Sequence, residues 1–488
     1  MNKVFSFALA AALMMAAACS EPLNEVAEEA THQNRVDEEQ IPQYTFSPEE
    51  LGYLTELANG TPKISVDSAA KVAMMVMGNG KSLSKRSLSV TAFGTPKSTS
   101  LTKSFTDSDI DTTFYVFNAP GDNGFAVISA DARIPQQVLA FSETGNLELD
   151  SDNPAFDVFL DYTQNYAAHC IAKAQDRRDS IINSIYEKFG ITVDLDSANS
   201  LSKTKHVIQR FLLTCQCYSY THVETIAEVK PMLNTNWHQL SPYNDRTGGR
   251  DKCKQGYAAG CIPISIAQLM VYWRYPQQIE GTTMNWSMLN NESDSSKPQY
   301  KSQAALLVSN IGKKSKTSYG CSISSSNIAL ALNYLISMKY SSPKTMTGYK
   351  YNKVINNLKK GWPVLLGGTR DVASGGSLSM TWLSDGYIHQ KKTVSSQLTY
   401  VVVEVDDETG RGSCRFEHTS GGCSVTEPEF LHINWGNGPK YNGYYAKDVF
   451  DVDIRYKVDN DGVYVRDCST NTNYNYRRDL RIVDGICR

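Results

Sequence analysis

The sequence predicts an α+β protein built from two units, a smaller N-terminal one and a larger C-terminal one. Apolar residues recur at helical spacing from Ile262 to Trp273 and stop at Pro276, which predicts a buried helix. Two alternating runs, FYVFNA and FAVISA, flank the turn residues GDNG at 121–124 and predict an antiparallel hairpin. Helices and antiparallel strands on one chain define this fold class.

The first 19 residues predict a signal peptide. Lys3 precedes an apolar run over residues 4–18, which is too short for a membrane span and is followed by acidic residues. The end of this run, AAAC, resembles a bacterial lipobox, which would make Cys19 the lipidated first residue of the mature protein. Ordinary secretion with cleavage just before Cys19 is the alternative. Both place the protein outside the cytoplasm, as an outer-membrane or cell-surface lipoprotein or as a secreted protein.

The N-terminal half divides by composition and periodicity. Residues 20–60 are rich in Glu, Asp and Gln and predict a solvated tether. Residues 61–150 predict the smaller α+β unit, with an amphipathic helix over Ser65 to Gly78. Residues 81–104 are rich in Ser, Thr and Lys and predict a loop within that unit.

A connector and a larger unit complete the chain. Residues 151–228 predict a connector that is helical from Pro154 to about Tyr186. Its last part, residues 194–228, is poorly patterned and is the expected place for processing. Residues 229–488 predict one α+β domain with a mostly antiparallel sheet, and beyond the helix at Ile262 its predicted helices span Gln303 to Ile311, Ser325 to Met338 and Lys353 to Lys360.

Composition limits the functional classes. The 488 residues suffice for two or three hydrophobic cores, and the net charge of −3 shows no basic excess of the kind that binds nucleic acid. Glycine-rich phosphate-binding motifs are absent from the sequence. The pair Cys215 and Cys217 has neither the spacing nor the histidine neighbours of a zinc site, so we expect no metal and no cofactor.

The chain has 11 cysteines, and nine remain when Cys19 and Cys261 are set aside, so at least one more thiol must be free or intermolecular. Cys414 and Cys423 bracket a glycine-rich stretch and are candidates to close a hairpin loop. Cys468 and Cys487 are candidates to attach the C-terminal tail.

Cys261 carries the strongest chemical signal in the sequence. It follows Gly260 at the start of the predicted buried helix, where unpaired backbone N–H groups and the helix dipole stabilise negative charge. Gln255 lies six residues upstream, and its amide is a candidate donor to an oxyanion formed on a substrate carbonyl. The combination predicts the nucleophile of a cysteine peptidase.

Five segments resemble the streptopain family of papain-like cysteine peptidases. In chain order they are GDNGFAVISADARIPQQVLAFSETG (121–145), VKPMLNTNWHQLSPYN (229–244), GCIPISIAQLMVYWRYP (260–276), GWPVLLGG with TWLSDGY (361–368 and 381–387) and LHINWGNGPKYNGYY (431–445). The first resembles the inhibitory pro-domain of that family and the others resemble its peptidase domain. The resemblance implies a papain-like fold, preceded by a small α+β pro-domain, in a protein made as a zymogen.

The chain departs from the family pattern at its histidine. The strand that carries this histidine in the family reads SLSMTWLSDGY here, with Met380 at the histidine position. A thioether has no proton to exchange near neutral pH, so Met380 cannot act as a base or an acid. Asn434 and Trp435 resemble the family residues that orient and shield the histidine, whereas Asn437 replaces a tryptophan.

Two functions remain open at this point. The first is a weak or inactive pseudopeptidase whose cleft holds a peptide or a partner. The second is an active zymogen-type endopeptidase that uses another histidine, with His389 as the first candidate. In an extended strand His389 would lie roughly 30 Å from Met380 on the opposite face, unless a turn at Asp385 and Gly386 folds it back.

The expected partners follow from this family resemblance. They are a polypeptide substrate or bound peptide and the chain's own pro-domain, with no nucleic acid and with membrane contact only through the lipid at Cys19. Adhesion through the N-terminal half is a third possibility, but no motif in the sequence supports it.

Overall fold

A computed structural model describes most of the chain. The described residues are 44–78, 87–96, 110–149, 154–189, 191–192, 207–217, 222–343, 345–371, 377–405, 412–450, 456–458, 464–466 and 480–488. The predicted signal peptide, Cys19, most of the predicted tether and Cys468 lie outside them.

The N-terminal unit combines helices with an antiparallel sheet, as predicted. Its helices are α1 (Pro48–Asn59), α2 (Val66–Met77), α3 (Pro154–Asp176) and α4 (Arg178–Phe189). Its strands are β1 (Tyr44–Thr45), β2 (Ser89–Pro96), β3 (Ile110–Asn118), β4 (Phe125–Ser129), β5 (Val138–Ser142) and β6 (Ile191–Thr192). The predicted helix at residues 65–78, the helical stretch from Pro154 and the hairpin at GDNG are confirmed.

Two predictions for the N-terminal half need correction. Residues 48–59 form helix α1 instead of a tether, because Ser47 and Glu50 form a capping box and Leu51 and Leu54 are buried. Strand β2 occupies part of the predicted loop at 81–104, because it pairs with β3. Acidic or polar composition concealed both elements in the sequence.

The C-terminal unit follows the predicted mixture of helices and strands. Its helices are α5 (Cys261–Trp273), α6 (Trp286–Leu289), α7 (Pro298–Lys314), α8 (Ile328–Ser337) and α9 (Tyr351–Leu358), with 3₁₀ turns at Glu292–Asp294 and Lys447–Phe450. Its shorter strands are β9 (Gln278–Ile279), β10 (Thr282–Thr283), β11 (Thr347–Gly348), β17 (Tyr456–Val458), β18 (Tyr464–Arg466) and β19 (Arg481–Val483). Its longer central strands are β12 (Val364–Asp371), β13 (Ser377–Val405), β14 (Gly412–Thr426), β15 (Glu429–Asn434) and β16 (Gly443–Ala446).

The poorly patterned end of the connector is largely strand. Strands β7 (Val207–Cys217) and β8 (His222–Val229) both run antiparallel to β13 along the same edge. The sequence analysis assigned no element to residues 194–228 and therefore missed both strands. Strand formation depends on a partner that is distant in the chain, here the long hairpin of β13 and β14, and local composition does not reveal such a partner.

One sheet passes through both units. Its main path runs β11-β19-β12-β13-β15-β16-β5-β4-β3-β2, so β5 of the N-terminal unit pairs directly with β16 of the C-terminal unit. Most buried apolar side chains of both units belong to one hydrophobic core cluster. Among the described helices, none is both long and apolar enough to cross a membrane.

Candidate active site

Cys261 lies at the first position of α5, as predicted. Gly260 caps the helix with φ of 94°, a conformation that L side chains rarely adopt. A Cβ at Gly260 would lie 3.3 Å from Cδ of Pro263 and 3.5 Å from Cβ of Ser324, so glycine also permits close packing here. Cys261 is 9 % exposed at the N-terminal end of the helix, where the dipole favours negative charge.

The glutamine beside this cysteine is Gln239, which the sequence analysis did not single out. The Gly260 N–H donates to Gln239 Oε1 over 3.1 Å, and the Ala259 N–H donates to the Gln239 carbonyl over 2.8 Å. The predicted oxyanion donor, Gln255, has an exposed side chain, and its carbonyl accepts from Asn244 Nδ2 over 2.9 Å. The structure therefore places the Gln239 amide next to the nucleophile position.

A disulfide and polar contacts hold the loop before Cys261. Cys253 is bonded to Cys321, a pairing that the sequence analysis did not predict. The Ala258 N–H donates to the Gly320 carbonyl over 2.9 Å, and Ser324 Oγ donates to the Ala258 carbonyl over 2.7 Å. Two loops that are distant in the chain thus form one wall behind the nucleophile.

The predicted Cys414–Cys423 bond is wrong, and the predicted Cys468–Cys487 bond involves Cys468, which lies outside the described residues. Cys414 and Cys423 both lie on β14, opposite Val403 and Ser395, so nine residues of strand separate them by roughly 30 Å. A disulfide requires Cα atoms within about 7 Å. Cys487 carries a free thiol.

Met380 lies on β13 opposite Gly368 of β12 and is 4 % exposed. A Cβ at Gly368 would lie 2.7 Å from the Trp382 ring and 3.0 Å from Cγ1 of Val158. Directly opposed residues share a sheet face, so Met380 lies on the face against which the Val158 part of α3 packs. The family's histidine position is therefore buried on the side that the N-terminal unit covers.

Asn434 and Trp435 lie on different sides of the sheet. Asn434 pairs with Leu383, which is three residues from Met380, so Asn434 and Met380 are on opposite faces. Its Nδ2 donates to the Thr235 carbonyl over 2.8 Å and contacts Gln268 of α5 over 3.3 Å. Asn434 therefore cannot orient a side chain at position 380, a correction to the sequence interpretation. Trp435 packs on Trp382 with ring centroids 5.0 Å apart, and its shielding role stays a prediction.

Comparison with known families decides the classification. Residues 237–445 match the Peptidase C10 family, which is the streptopain family, and residues 61–167 match the Spi protease inhibitor family. The chain is a streptopain-family protein. Its C-terminal unit has the papain-like fold of that family, and its N-terminal unit is the inhibitor-type pro-domain.

Two solved structures from Prevotella intermedia are similar to the chain. A prointerpain A fragment has a TM-score of 0.43 and 20% identity, covering 77% of this chain and 96% of that one. Active wild-type interpain A cysteine protease has a TM-score of 0.34 and 17% identity, covering 54% of this chain and 97% of that one. No curated protein matches the chain.

In this streptopain-family chain, His389 is remote from the histidine position. β13 continues through Asp385 as a bulged strand, with a register shift between Ser384 and Gly386, and the suggested turn is absent. Because the bulge inserts one residue, His389 shares the face of Met380, contrary to the prediction. The separation along the strand is still roughly 26 Å, and His389 Nε2 lies 3.6 Å from Glu427.

Within the described residues, another histidine, His432, contacts the carboxylate of Asp385. His432 Nδ1 lies 2.6 Å from Asp385 Oδ1, and Asp385 Oδ2 accepts from the Leu233 N–H over 2.9 Å. The Met232 N–H donates to the Asp385 carbonyl over 3.1 Å. His432 shares the face of Asn434, two residues away, and so lies opposite Met380. The pair attaches the first segment of the peptidase domain to β13.

His238 precedes Gln239 and lies in a largely buried position. Its Nδ1 accepts from the Leu240 N–H over 3.2 Å, and its ring packs edge-on against Tyr243 at 4.9 Å. Burial lowers the pKa of His238, which disfavours the charged form. Within the described ranges, no three His, Cys, Asp or Glu side chains are grouped so that they could hold a metal ion.

Proposed function

We propose that this streptopain-family zymogen homologue has weak or no peptidase activity and retains a cleft at Cys261 that binds an extended polypeptide. The observation that carries the proposal is Met380, which is buried on the α3 face of β13 at the position of the family's histidine. The nucleophile side supports retained binding, because Gly260, Gln239 and the disulfide-braced loop form an ordered wall.

The chemistry of amide hydrolysis explains the expected weakness. A thiol that attacks a carbonyl must lose its proton, and the departing amine must gain one. Cys261 and the Gln239 amide can supply a nucleophile and an oxyanion contact. The thioether of Met380 can supply neither proton transfer, and general acid–base catalysis typically contributes about 10²–10⁴-fold.

The alternative is an active peptidase that uses His389. Its support is the free thiol of Cys261 at a helix start, together with the shared face of His389 and Met380. The distance along β13 and the contact of His389 with Glu427 weigh against it. We therefore favour the first function.

The decisive experiment measures hydrolysis of casein and a fluorogenic peptide by the full chain and three variants. Cys261→Ala identifies hydrolysis that depends on the thiol, Met380→His restores a base, and Met380→Leu is the matched apolar control. We expect no Cys261-dependent turnover in the parent or in Met380→Leu, and a gain of about 10²-fold or more in Met380→His. Turnover in the parent that equals that of Met380→His and disappears in Cys261→Ala would refute the proposal.

We also propose that the protein is exported and anchored by lipid at Cys19. The support is the apolar run over residues 4–18 and the lipobox-like AAAC that follows the pattern of bacterial lipoproteins. Metabolic labelling with a fatty acid should mark the wild-type chain and fail to mark Cys19→Ser. Equal labelling of both chains would exclude Cys19 as the attachment site, whereas labelling of neither would favour ordinary secretion.

A further inference from the structure

Charge is distributed unevenly along the chain. Residues 1–228 contain 17 Lys and Arg against 29 Asp and Glu, whereas residues 229–371 contain 18 Lys and Arg against six Asp and Glu. The second range therefore carries a net charge of +12 in a protein whose total net charge is −3. It forms helices α5 to α9 and the loops around Cys261. A strongly basic region in an acidic protein favours a negatively charged partner.

Part of this positive charge lies beside the nucleophile wall, in a surface that we call the basic patch. The basic patch consists of residues 245–254, in the loop before Cys261, and residues 313–316, at the end of α7. The two segments together contain seven Lys and Arg and two Asp. All seven basic side chains are exposed in a structure that includes the pro-domain. A partner can therefore reach the patch without release of the pro-domain.

Covalent and backbone contacts join the two segments of the patch. The disulfide between Cys253 and Cys321 attaches the 245–254 loop to the residues that follow α7. The Ala258 N–H donates to the Gly320 carbonyl over 2.9 Å, close to Gly260 at the start of α5. The patch therefore borders the wall that carries the nucleophile position.

Glu280 lies between the two segments and shows that their charges are close. Its Oε1 accepts from Asn310 Nδ2 and from Lys313 Nζ, each over 3.1 Å. These two hydrogen bonds, together with the positive charge of Arg246, lower the pKa of the Glu280 carboxyl. A side chain of the loop and a side chain of α7 thus act on one carboxylate.

The carboxylates within this region neutralise only part of its positive charge. Arg250 forms an ion pair with Asp245 over 2.8 Å, and Lys313 forms one with Glu280 over 3.1 Å. The four other lysines of the patch form no ion pair with any described residue. Their amines are available to the carboxylates of a partner.

The composition of the patch favours an acidic polypeptide over a nucleic acid or a lipid surface. Five of its seven cations are lysines, which are point charges on flexible stems and suit carboxylates at variable positions. Asp245 and Asp251 interrupt the basic side chains and would repel the closely spaced phosphates of a nucleic acid. The patch also borders the Cys261 wall, so a polypeptide that extends from the cleft can reach it.

We propose that the basic patch is a docking surface for acidic segments of a polypeptide partner, adjacent to the Cys261 cleft and separate from it. The inference goes beyond the proposed function, because it requires neither a reactive Cys261 nor an open cleft. A single exposed ion pair contributes little to affinity, so docking depends on several lysines acting together.

The first test measures binding of labelled peptides to the full chain by fluorescence anisotropy at low ionic strength. A polyglutamate peptide is compared with a glycine–serine peptide of equal length. We expect polyglutamate to bind about tenfold more tightly and to lose this advantage as salt is added, because exposed charges are screened. Equal binding of the two peptides at low salt would overturn the proposal.

Charge-reversal variants locate the binding. Lys252→Glu combined with Lys314→Glu places a negative charge in each segment of the patch. Lys350→Glu combined with Lys360→Glu is the matched control, since both lysines are exposed, flank α9 and change the net charge equally. We expect polyglutamate affinity to fall by about fivefold or more in the patch variant and by less than about twofold in the control. Equal losses would show a general effect of net charge and would reject the patch.

Cross-linking of the wild-type chain keeps the test decisive if the patch variant does not fold. A carbodiimide joins carboxylates of bound polyglutamate to lysine amines, and mass spectrometry identifies the lysines. We expect the linked lysines to be mainly those of the patch, and linkage mainly at Lys350 and Lys360 would contradict the proposal. Tighter binding of a DNA oligonucleotide or of phosphatidylglycerol vesicles than of polyglutamate, at the same ionic strength, would reject a polypeptide as the partner.

Discussion

The nucleophile wall beside Cys261 and the apolar wall beside Met380 differ in what holds them. The nucleophile wall is polar, with the Gly260 N–H bonded to Gln239, the disulfide between Cys253 and Cys321 and the Ser324 hydroxyl on the Ala258 carbonyl. The apolar wall is the Met380 region of β13, which lies beneath α3 of the pro-domain.

This difference shows which part of the peptidase machinery the chain has kept. Around Cys261, polar groups are paired in positions that suit substrate binding and charge stabilisation. Around Met380, a position that served proton transfer in the family now contributes to a core shared with the pro-domain. Polar pairing thus dominates around Cys261, whereas apolar burial dominates around Met380.

The largest expected loss of stability comes from a substitution in the apolar wall. Trp435→Ala removes a side chain that contacts Trp382, Phe156 and Tyr445, and should lower the free energy of unfolding by about 3–5 kcal/mol. Urea unfolding of the full chain measures this, with exposed Tyr186→Ala as the control. A loss below about 1 kcal/mol would show that the two units do not share a core at this point.

On the nucleophile wall, removing the disulfide should have the next largest effect. Replacement of Cys253 and Cys321 by serine opens a loop with a sequence separation of 68 residues and should cost about 2–4 kcal/mol of unfolding free energy. Thermal unfolding compares this double variant with Cys487→Ser, which removes a free thiol. If both variants unfold at the wild-type temperature, the disulfide does not brace this wall.

A buried lysine further along β13 should make stability depend on pH. Burial lowers the pKa of Lys392 from 10.5 to about 7, so between these values the unfolded chain binds a proton that the folded chain lacks. The free energy of unfolding therefore rises with pH across this window. This gain in stability is lost as the pH falls to about 7. Lys392→Met should flatten this rise and stabilise the protein most at pH 7 and below, on the order of a few kcal/mol.

Urea unfolding at several pH values compares Lys392→Met with Lys391→Met. Lys391 is exposed and adjacent, so its replacement controls for the lost charge. The same pH slope in Lys392→Met and the parent would rule out this lysine as the source.

The smallest expected change in stability comes from replacing the two glutamines, Gln239 and Gln255, one at a time. Gln239→Ala leaves the Gly260 N–H without its acceptor and should cost about 1–3 kcal/mol of unfolding free energy. Gln255→Ala removes an exposed side chain and should change stability by at most about 0.5 kcal/mol. Denaturant unfolding of both variants measures the contrast, and a larger loss in Gln255→Ala would reverse the assignment.

Sequence patterns that act over a few residues predicted their elements well. The helix that starts at Cys261, the helix capped by Ser65 and the hairpin at GDNG all depend on neighbouring residues and are present in the structure. Caps, periodicity and turn residues are local, so one sequence is enough to recognise them.

Features that depend on distant partners were missed or misassigned. Gln239 is 21 positions from Gly260, and nothing in its local sequence marks it as the amide beside the nucleophile. The bulge at Asp385 reversed the expected face of His389, because a single inserted residue changes the alternation of a strand.

The sequence by itself determined the chemistry available in the cleft, since it places cysteine at position 261 and methionine at the family's histidine position. Only the tertiary structure decided which glutamine meets Gly260, which face Asn434 occupies and which helix covers the β12–β13 strands. The physical reason is that side-chain identity is written residue by residue, whereas strand register and packing arise from pairings between segments far apart in the chain.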